Sequence, residues 1–276
     1  MPVCVYTRVY SVEEPGFKSE NDEVLRALNH LSKHFKKCNI RAFDRGYDAN
    51  VYYERLIDKK EAFVIRAKKN RDVIYKGQRI NILKLASRFK GKYVLKFKKK
   101  NGVMADCKIS IVPIKLPCRP NEELNLVVCN DIGKDPLMLI TSLKSTDDRL
   151  CLTITKVYLL RWRIEEFYGF KKQQFDFEGF RVRSLASIRN LDMFVTIAVG
   201  YIAIISEKTD ERRIVLELIA ISKRIFKTPK FVLYSIADGL FEICSKTNKG
   251  IVDMLRKKPK PFQLSFFPNT GFAWGG

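Results

Sequence analysis

The sequence predicts an α/β protein that is interrupted by a strand-rich stretch and completed by helices, and three observations carry that expectation. Strand-like and helix-like patterns alternate over residues 2–66, short β-like runs separated by turn residues fill 68–143, and helical periodicity returns from about Cys151. The division this implies is a first part of the core at 1–67, a β-rich insertion at 68–143, a second part of the core at 144–206, and a C-terminal helical region with a basic tail at 207–276.

Each element follows from local pattern. Residues 2–12 are β-branched and aromatic enough for a strand or two, ending at the turn Glu13-Glu14-Pro15-Gly16. Ser19 reads as an N-cap, with Asp22 three residues on, and Val24, Leu28, Leu31 and Phe35 follow at helical spacing over 20–37. Ile40–Phe43 reads as a short strand ending at Asp44-Arg45-Gly46, a second helix covers about 49–59, and Ala62–Arg66 is the next strand. The runs Val73–Tyr75, Tyr93–Phe97, Cys107–Leu116, Leu124–Cys129 and Leu137–Leu143 are short and punctuated. They leave no room for the crossover helices that parallel strands need, and Asn101-Gly102 suits a tight hairpin. An antiparallel β unit excluded from the α/β sheet is therefore expected. Helices are expected at about 153–174, 184–205, 209–226 and 231–247, followed by the basic run Arg256–Pro261.

Composition limits the function classes. The chain has 276 residues with 52 Lys+Arg against 30 Asp+Glu, a formal net charge of +22. Its 46% apolar content excludes a wholly disordered basic arm, and the charge makes a polyanion, nucleic acid before membrane, the expected partner. Seven cysteines, Cys4, Cys38, Cys107, Cys118, Cys129, Cys151 and Cys244, include no C-x-x-C pair, which reads as reduced thiols of a cytosolic protein. His30 and His34 are the only histidines, too few for a Ser-His or Cys-His catalytic pair, and they read as surface or core residues. The apolar run Met193–Ile205 is shorter than the roughly 20 residues a bilayer span needs, so a core helix and no membrane partner are expected.

Two places could carry chemistry. Asp44 ends an apolar strand, where α/β folds place ligands, although a carboxylate there also reads as a cap for the next helix. Further on, at about 100° per residue, Tyr158, Arg161, Glu165 and Lys172 fall on one narrow helical face, opposite Leu159, Leu160, Ile164, Phe167 and Phe170. A carboxylate flanked by an aromatic and two cations suits a phosphodiester: the acid holds a divalent cation and the cations take phosphate oxygens. The plainer reading is a solvated face with an Arg161–Glu165 pair. The runs Lys68-Lys69-Asn70-Arg71 and Lys96–Lys100 are either a solvated hairpin rim or sequence-independent phosphate contacts.

Tyr158-x2-Arg161-x3-Glu165-x6-Lys172 resembles the Tyr-Arg-Glu-Lys signature of bacterial insertion-sequence DDE transposases, and Leu160–Phe167 is similar to the stretch that surrounds it. Asp44-Arg45-Gly46 looks like the end of the strand that supplies the family's second catalytic Asp, and Phe63–Lys68 resembles the strand after it. The separation, 165 − 44 = 121 residues, is filled in that family by a β-rich insertion. The resemblance covers about residues 1–205 and implies a ribonuclease H-like core. It implies three carboxylates holding two Mg2+ or Mn2+ ions, with Asp44 and Glu165 as the second and third, so these two should converge. It implies that Tyr158, Arg161 and Lys172, and also Arg66, contact DNA-end phosphates. The implied partners are transposon-end DNA and, among proteins, a second copy or an intact transposase, in a bacterial cytoplasm at the nucleoid. The strand that carries the family's first Asp has no counterpart upstream of Asp44. Glu13, Glu14, Asp22 and Asp48 read as turn, cap or surface residues, so the expectation is a core incomplete at its N-terminus and inactive alone, or a non-enzymatic DNA-binding remnant.

Overall fold

The computed structural model describes residues 3–35, 40–98, 104–144, 149–207, 212–222 and 232–246. Cys38, the Asn101-Gly102 turn, part of the Lys96–Lys100 run and the basic run Arg256–Pro261 lie outside the described residues. The chain divides into two compact units, Val5–Tyr168 and a second made of Met1–Cys4 with Gly169–Gly276.

The first unit is built around a mixed sheet of eight strands. Helix α1 (Glu20–His34) begins where Ser19 Oγ accepts the amide of Asp22 at 3.1 Å, the expected cap. Strand β1 (Arg41–Phe43), helix α2 (Asn50–Asp58) and strand β2 (Phe63–Arg66) form a βαβ unit in which β1 and β2 run parallel. Then come β3 (Asp72–Tyr75), β4 (Gln78–Asn81), a short helix α3 (Ile82–Ala86), β5 (Tyr93–Lys98), β6 (Met104–Leu116), β7 (Arg119–Asn130) and β8 (Leu137–Thr141). Residues 3–11 form no strand, contrary to their β-rich composition.

The strands of 68–143 pair antiparallel among themselves, as their hairpin signals require. They do not make a sheet apart. Strand β8 pairs antiparallel with β2, and the order β1-β2-β8-β7-β6-β3-β4, with β5 on β6, joins the expected insertion to the core sheet. Burial gives the reason: Phe63, Val64 and Ile65 of β2 and every residue of β8 are buried, so each strand needs a neighbour on both edges and a layer on both faces.

Alternation along the central strands assigns those layers. Phe63, Ile65, Leu126, Val128, Met138 and Ile140 face one cluster with Tyr53 and Leu56 of α2 and Leu85 of α3. Val64, Val127, Cys129, Leu137 and Leu139 face the other, with Cys151, Ile154 and Tyr158 of helix α4 (Leu150–Leu160). Period-2 alternation in runs that are apolar at every position therefore makes a helix–sheet–helix sandwich, a mixed α/β architecture consistent with a ribonuclease H-like domain.

Helix α5 (Arg163–Phe175) leads into the second unit, which holds α6 (Leu185–Glu207), α7 (Arg212–Ile221) and α8 (Val232–Lys246). Lys171 is buried and donates to Asp192 Oδ1 at 2.5 Å and to Thr196 Oγ1 at 3.0 Å, tying α5 to α6. Gln174 to Asp238 and Tyr234 to Gln173 tie α5 to α8. At Gly239 an added Cβ would lie 2.1 Å from the Leu218 carbonyl oxygen, so glycine is what lets α7 and α8 approach this closely. By length and composition alone, the 23 residues of α6 are enough to cross a membrane, more than its apolar run suggested, because the helix extends beyond that run at its N-terminus.

Candidate active site

Parallel pairing of β1 and β2 aligns Phe43 with Ile65, so Asp44, which follows β1, and Arg66, the last residue of β2, come to the same end of the two strands. Asp44 precedes a single 3-10 turn, Arg45–Tyr47, and its side chain makes no capping bond. The plain capping reading therefore does not account for this carboxylate, which is free to turn to other partners.

Those partners come from α4. Its buried stripe Cys151, Ile154, Thr155 and Tyr158 packs on the sheet, which carries the Tyr158 ring to the end of β1. Tyr158 donates its hydroxyl to Asp44 Oδ1 at 3.3 Å. One turn on, Arg161 Nη1 lies 4.0 Å from Asp44 Oδ2, a charge contact, and its guanidinium carbon lies 5.7 Å from the Tyr158 ring centroid. Arg161 Nη2 donates to Glu165 Oε1 at 3.2 Å. A single guanidinium thus meets two carboxylates that are 121 residues apart in the chain (165 − 44). Arg161 Nε is buried without an acceptor, so the group is held by its two terminal nitrogens.

The local helix differs from the expected one. Instead of one helix over 153–174, α4 ends at Leu160 and α5 starts at Arg163. Between them Arg161, Trp162, Ile164 and Glu165 bond back three residues rather than four. This tighter winding shifts the phase. Tyr158 belongs to the buried stripe, not to a solvated face, whereas Leu160 and Ile164, expected at the anchored back, are 54% and 47% exposed. Glu165 therefore stands at the start of a new helix, with a side chain 58% exposed, while Arg161 is 20% exposed.

The electrostatics follow from these contacts. Partial burial pulls the Asp44 pKa upward, but the Arg45 amide, the charges of Arg161 and Arg66 and the Tyr158 hydroxyl outweigh it and hold the carboxyl below its ordinary value. Burial raises the Tyr158 pKa, with the charge of Asp44 adding to it and Arg66 and Arg161 opposing. Tyr158 is accordingly a neutral donor. Burial works against the Arg161 charge, yet Asp44, Tyr158 and Glu165 raise its pKa. Burial also raises the pKa of the neighbouring Glu166.

Residues 7–200, all but the first six and last seventy-six, match the family described as the transposase DDE domain. The chain belongs to the transposase DDE domain family. Asp44, Arg66, Tyr158, Arg161, Glu165 and Lys172 all fall inside the matched span. Comparison with curated protein sequences finds no match.

Of the residues singled out in the sequence, five of this transposase domain meet in the first unit: Asp44, Arg66, Tyr158, Arg161 and Glu165. Lys172 falls in the second unit, where it pairs with Glu178 at 2.6 Å. The DDE family normally uses divalent metal ions and acts on DNA. As arranged, this site does not fit such an ion: a guanidinium stands on both carboxylates, and among the described residues no group of three or more His, Cys, Asp or Glu side chains is placed to hold a metal. Asp48, read from sequence as a turn, cap or surface acid, is instead buried and fully engaged. It accepts from the Tyr53 hydroxyl at 2.8 Å and the Lys68 amide at 2.6 Å and pairs with Arg71. Leaving such a carboxylate unpaired under the sheet would be costly, which is why it is built into a network.

Proposed function

We propose that this transposase domain grips the phosphodiester backbone of transposon-end DNA through Arg161, Arg66 and Tyr158, with Lys172 adding a contact, and that Asp44 and Glu165 are the acidic pair of its catalytic centre. The observation that carries this reading is the Arg161 guanidinium resting on both carboxylates at the end of β1. Acids of structural use alone are commonly engaged more fully, as Asp48 is. Here one long charge contact and one hydrogen bond leave the guanidinium open to a better, bidentate phosphate partner. The net charge of +22 draws DNA in, and the local cations position it. The Tyr158-Arg161-Glu165-Lys172 spacing supports a bacterial insertion-sequence transposase working in the cytoplasm at the nucleoid, with a second copy or an intact transposase as protein partner.

Because a cation already sits on the acidic pair, we infer further that the chain alone binds DNA without cutting or joining it. The second reading, a DNA-binding remnant without catalysis, draws on the same contact. Both are tested with the purified chain and a labelled duplex carrying a transposon end. Binding followed by fluorescence anisotropy should weaken steeply with salt, and Arg161→Ala should flatten the log K against log[salt] slope by about 1. An unchanged slope would contradict the phosphate role. Incubation with Mg2+ or Mn2+ tests the inactivity that both readings share: cleavage that Glu165→Ala abolishes would overturn it and establish the chain as an enzyme by itself, and intact duplex under conditions of full binding upholds it.

A further inference from the structure

Helix α6 of the second unit has apolar residues on two faces. The inner face buries Val195, Val199, Ile202, Ala203 and Ile205. The outer face leaves Met193, Phe194, Ile197, Tyr201 and Ile204 between 46% and 62% exposed, and no charged residue occurs from Met193 to Ser206. We propose that this outer face is where a second copy of the chain docks, the two α6 helices packing antiparallel about Val199. The inference gives a surface to the second copy named above as protein partner and rests on that reading alone, not on DNA contact or catalysis.

Spacing indicates a helical partner. Phe194, Ile197, Tyr201 and Ile204 follow one another at three, four and three residues, the a/d spacing with which one helix offers a seam to another. The seam is symmetric: Phe194 and Ile204 each stand five residues from Val199, and Ile197 and Tyr201 each stand two. A two-fold antiparallel partner therefore sets Phe194 against the partner's Ile204 and Ile197 against the partner's Tyr201, an aromatic against an isoleucine in every layer. Parallel packing would stack like on like and leave layers of unequal width. Glycine inside a helix is destabilising relative to alanine. Gly239 is required by the backbone of α7, but an added Cβ at Gly200 would meet nothing within 4 Å. Gly200 and Ala198 flank the centre of the seam, where their small size lets a second backbone approach. At roughly 150–250 Å2 for an aromatic side chain, the exposed fractions of the five outer residues leave on the order of 500 Å2 of apolar surface per copy. Pairing two faces removes about 1,000 Å2, which reaches the size of a specific interface. A bilayer suits the helix less well, because its inner face is already packed and Asp192 there is tied to Lys171.

Sedimentation equilibrium of the full 276-residue chain tests this, in about 0.3 M salt to screen the repulsion between two chains of +22. Wild type should be dimeric at about 20 μM, as an interface of this modest size allows. Ile197→Glu puts an unpaired charge into two layers of the seam and should weaken the dimer at least about a hundredfold. Ile197→Glu/Tyr201→Lys sets opposite charges across the two-fold only in the antiparallel arrangement, and should recover most of that loss. Gly200→Leu, for which the chain itself has room, should keep its helical circular dichroism and weaken the dimer about tenfold. A dimer that Ile197→Glu and Gly200→Leu both leave intact overturns the α6 surface and keeps the second-copy reading. A monomeric wild type overturns both. Failure of the double variant to recover the dimer overturns the antiparallel pairing. Wild-type binding to neutral phosphatidylcholine vesicles in place of dimerisation, lost in Ile197→Glu, would assign the face to a lipid surface and overturn the proposal.

Discussion

Of the cations that pair with acids among the described residues, Lys171 and Arg161 do so in opposite ways. Lys171 in the helical unit is buried, donates to Asp192 at 2.5 Å and to Thr196 at 3.0 Å, and has side-chain exposures of 3% for itself and 7% for Asp192. Arg161 in the sheet unit touches two carboxylates more loosely and leaves both of them about half exposed. The difference separates structure from function. Removing a buried charge's partner strands the other in a low dielectric, so such a pair is committed to the fold. The exposed cluster can lose or exchange a member at little cost, which is what a site that receives a charged ligand requires.

The largest effect should come from the buried pair. Lys171→Met removes the buried cation that meets Asp192 at 2.5 Å and is expected to cost about 3–5 kcal/mol, measured by urea unfolding of the full chain. A loss below about 1 kcal/mol would erase the contrast. Arg161→Ala should change stability by no more than about 1 kcal/mol in the same assay while weakening DNA binding, and a stability loss as large as that of Lys171→Met would recast Arg161 as a structural residue. The smallest effect is one of pH. Asp44 is held below its ordinary pKa in the folded chain, so the stability it contributes is complete above its unfolded pKa of about 3.9 and is lost as pH falls through the lower folded value. Unfolding of wild type and Asp44→Asn should therefore differ by a constant amount at neutral pH and converge in acid, whereas a gap that widens in acid would have the sign wrong.

Much of the fold could be read from the sequence. Helix α1 follows from Ser19 and a stripe at Val24, Leu28 and Leu31, and the helices of the second unit follow from periodicity to within a few residues. What could not be read depended on long-range pairing or backbone chirality. Nothing local announces that Leu137–Thr141 pairs with Phe63–Arg66 rather than closing a separate β unit, because an apolar run has no preferred edge. The β3–β4 hairpin turns at Lys76 and Gly77, both at positive φ, without the Asn-Gly signal that marks such turns most clearly. At the site, the residue types were legible as a constellation, but the break after Leu160 was not, since Arg161-Trp162 contains neither Pro nor Gly. Tyr158, before the break, is buried with the stripe of α4, and Glu165, after it, stands in solvent.

If Arg161 is shared between the acidic pair and DNA, duplex affinity must depend on whether the carboxylates hold it. In metal-free buffer at fixed salt, Asp44→Asn/Glu165→Gln releases the guanidinium and should tighten duplex binding. Removing two negative charges does so in any protein, so the same pair of changes is made in an Arg161→Gln background. The gain should be clearly larger when Arg161 is present than when it is absent, by roughly the tenfold that two weak ion pairs are worth. Equal gains in the two backgrounds would show that the carboxylates and the phosphate do not compete for this arginine, and would contradict the sharing.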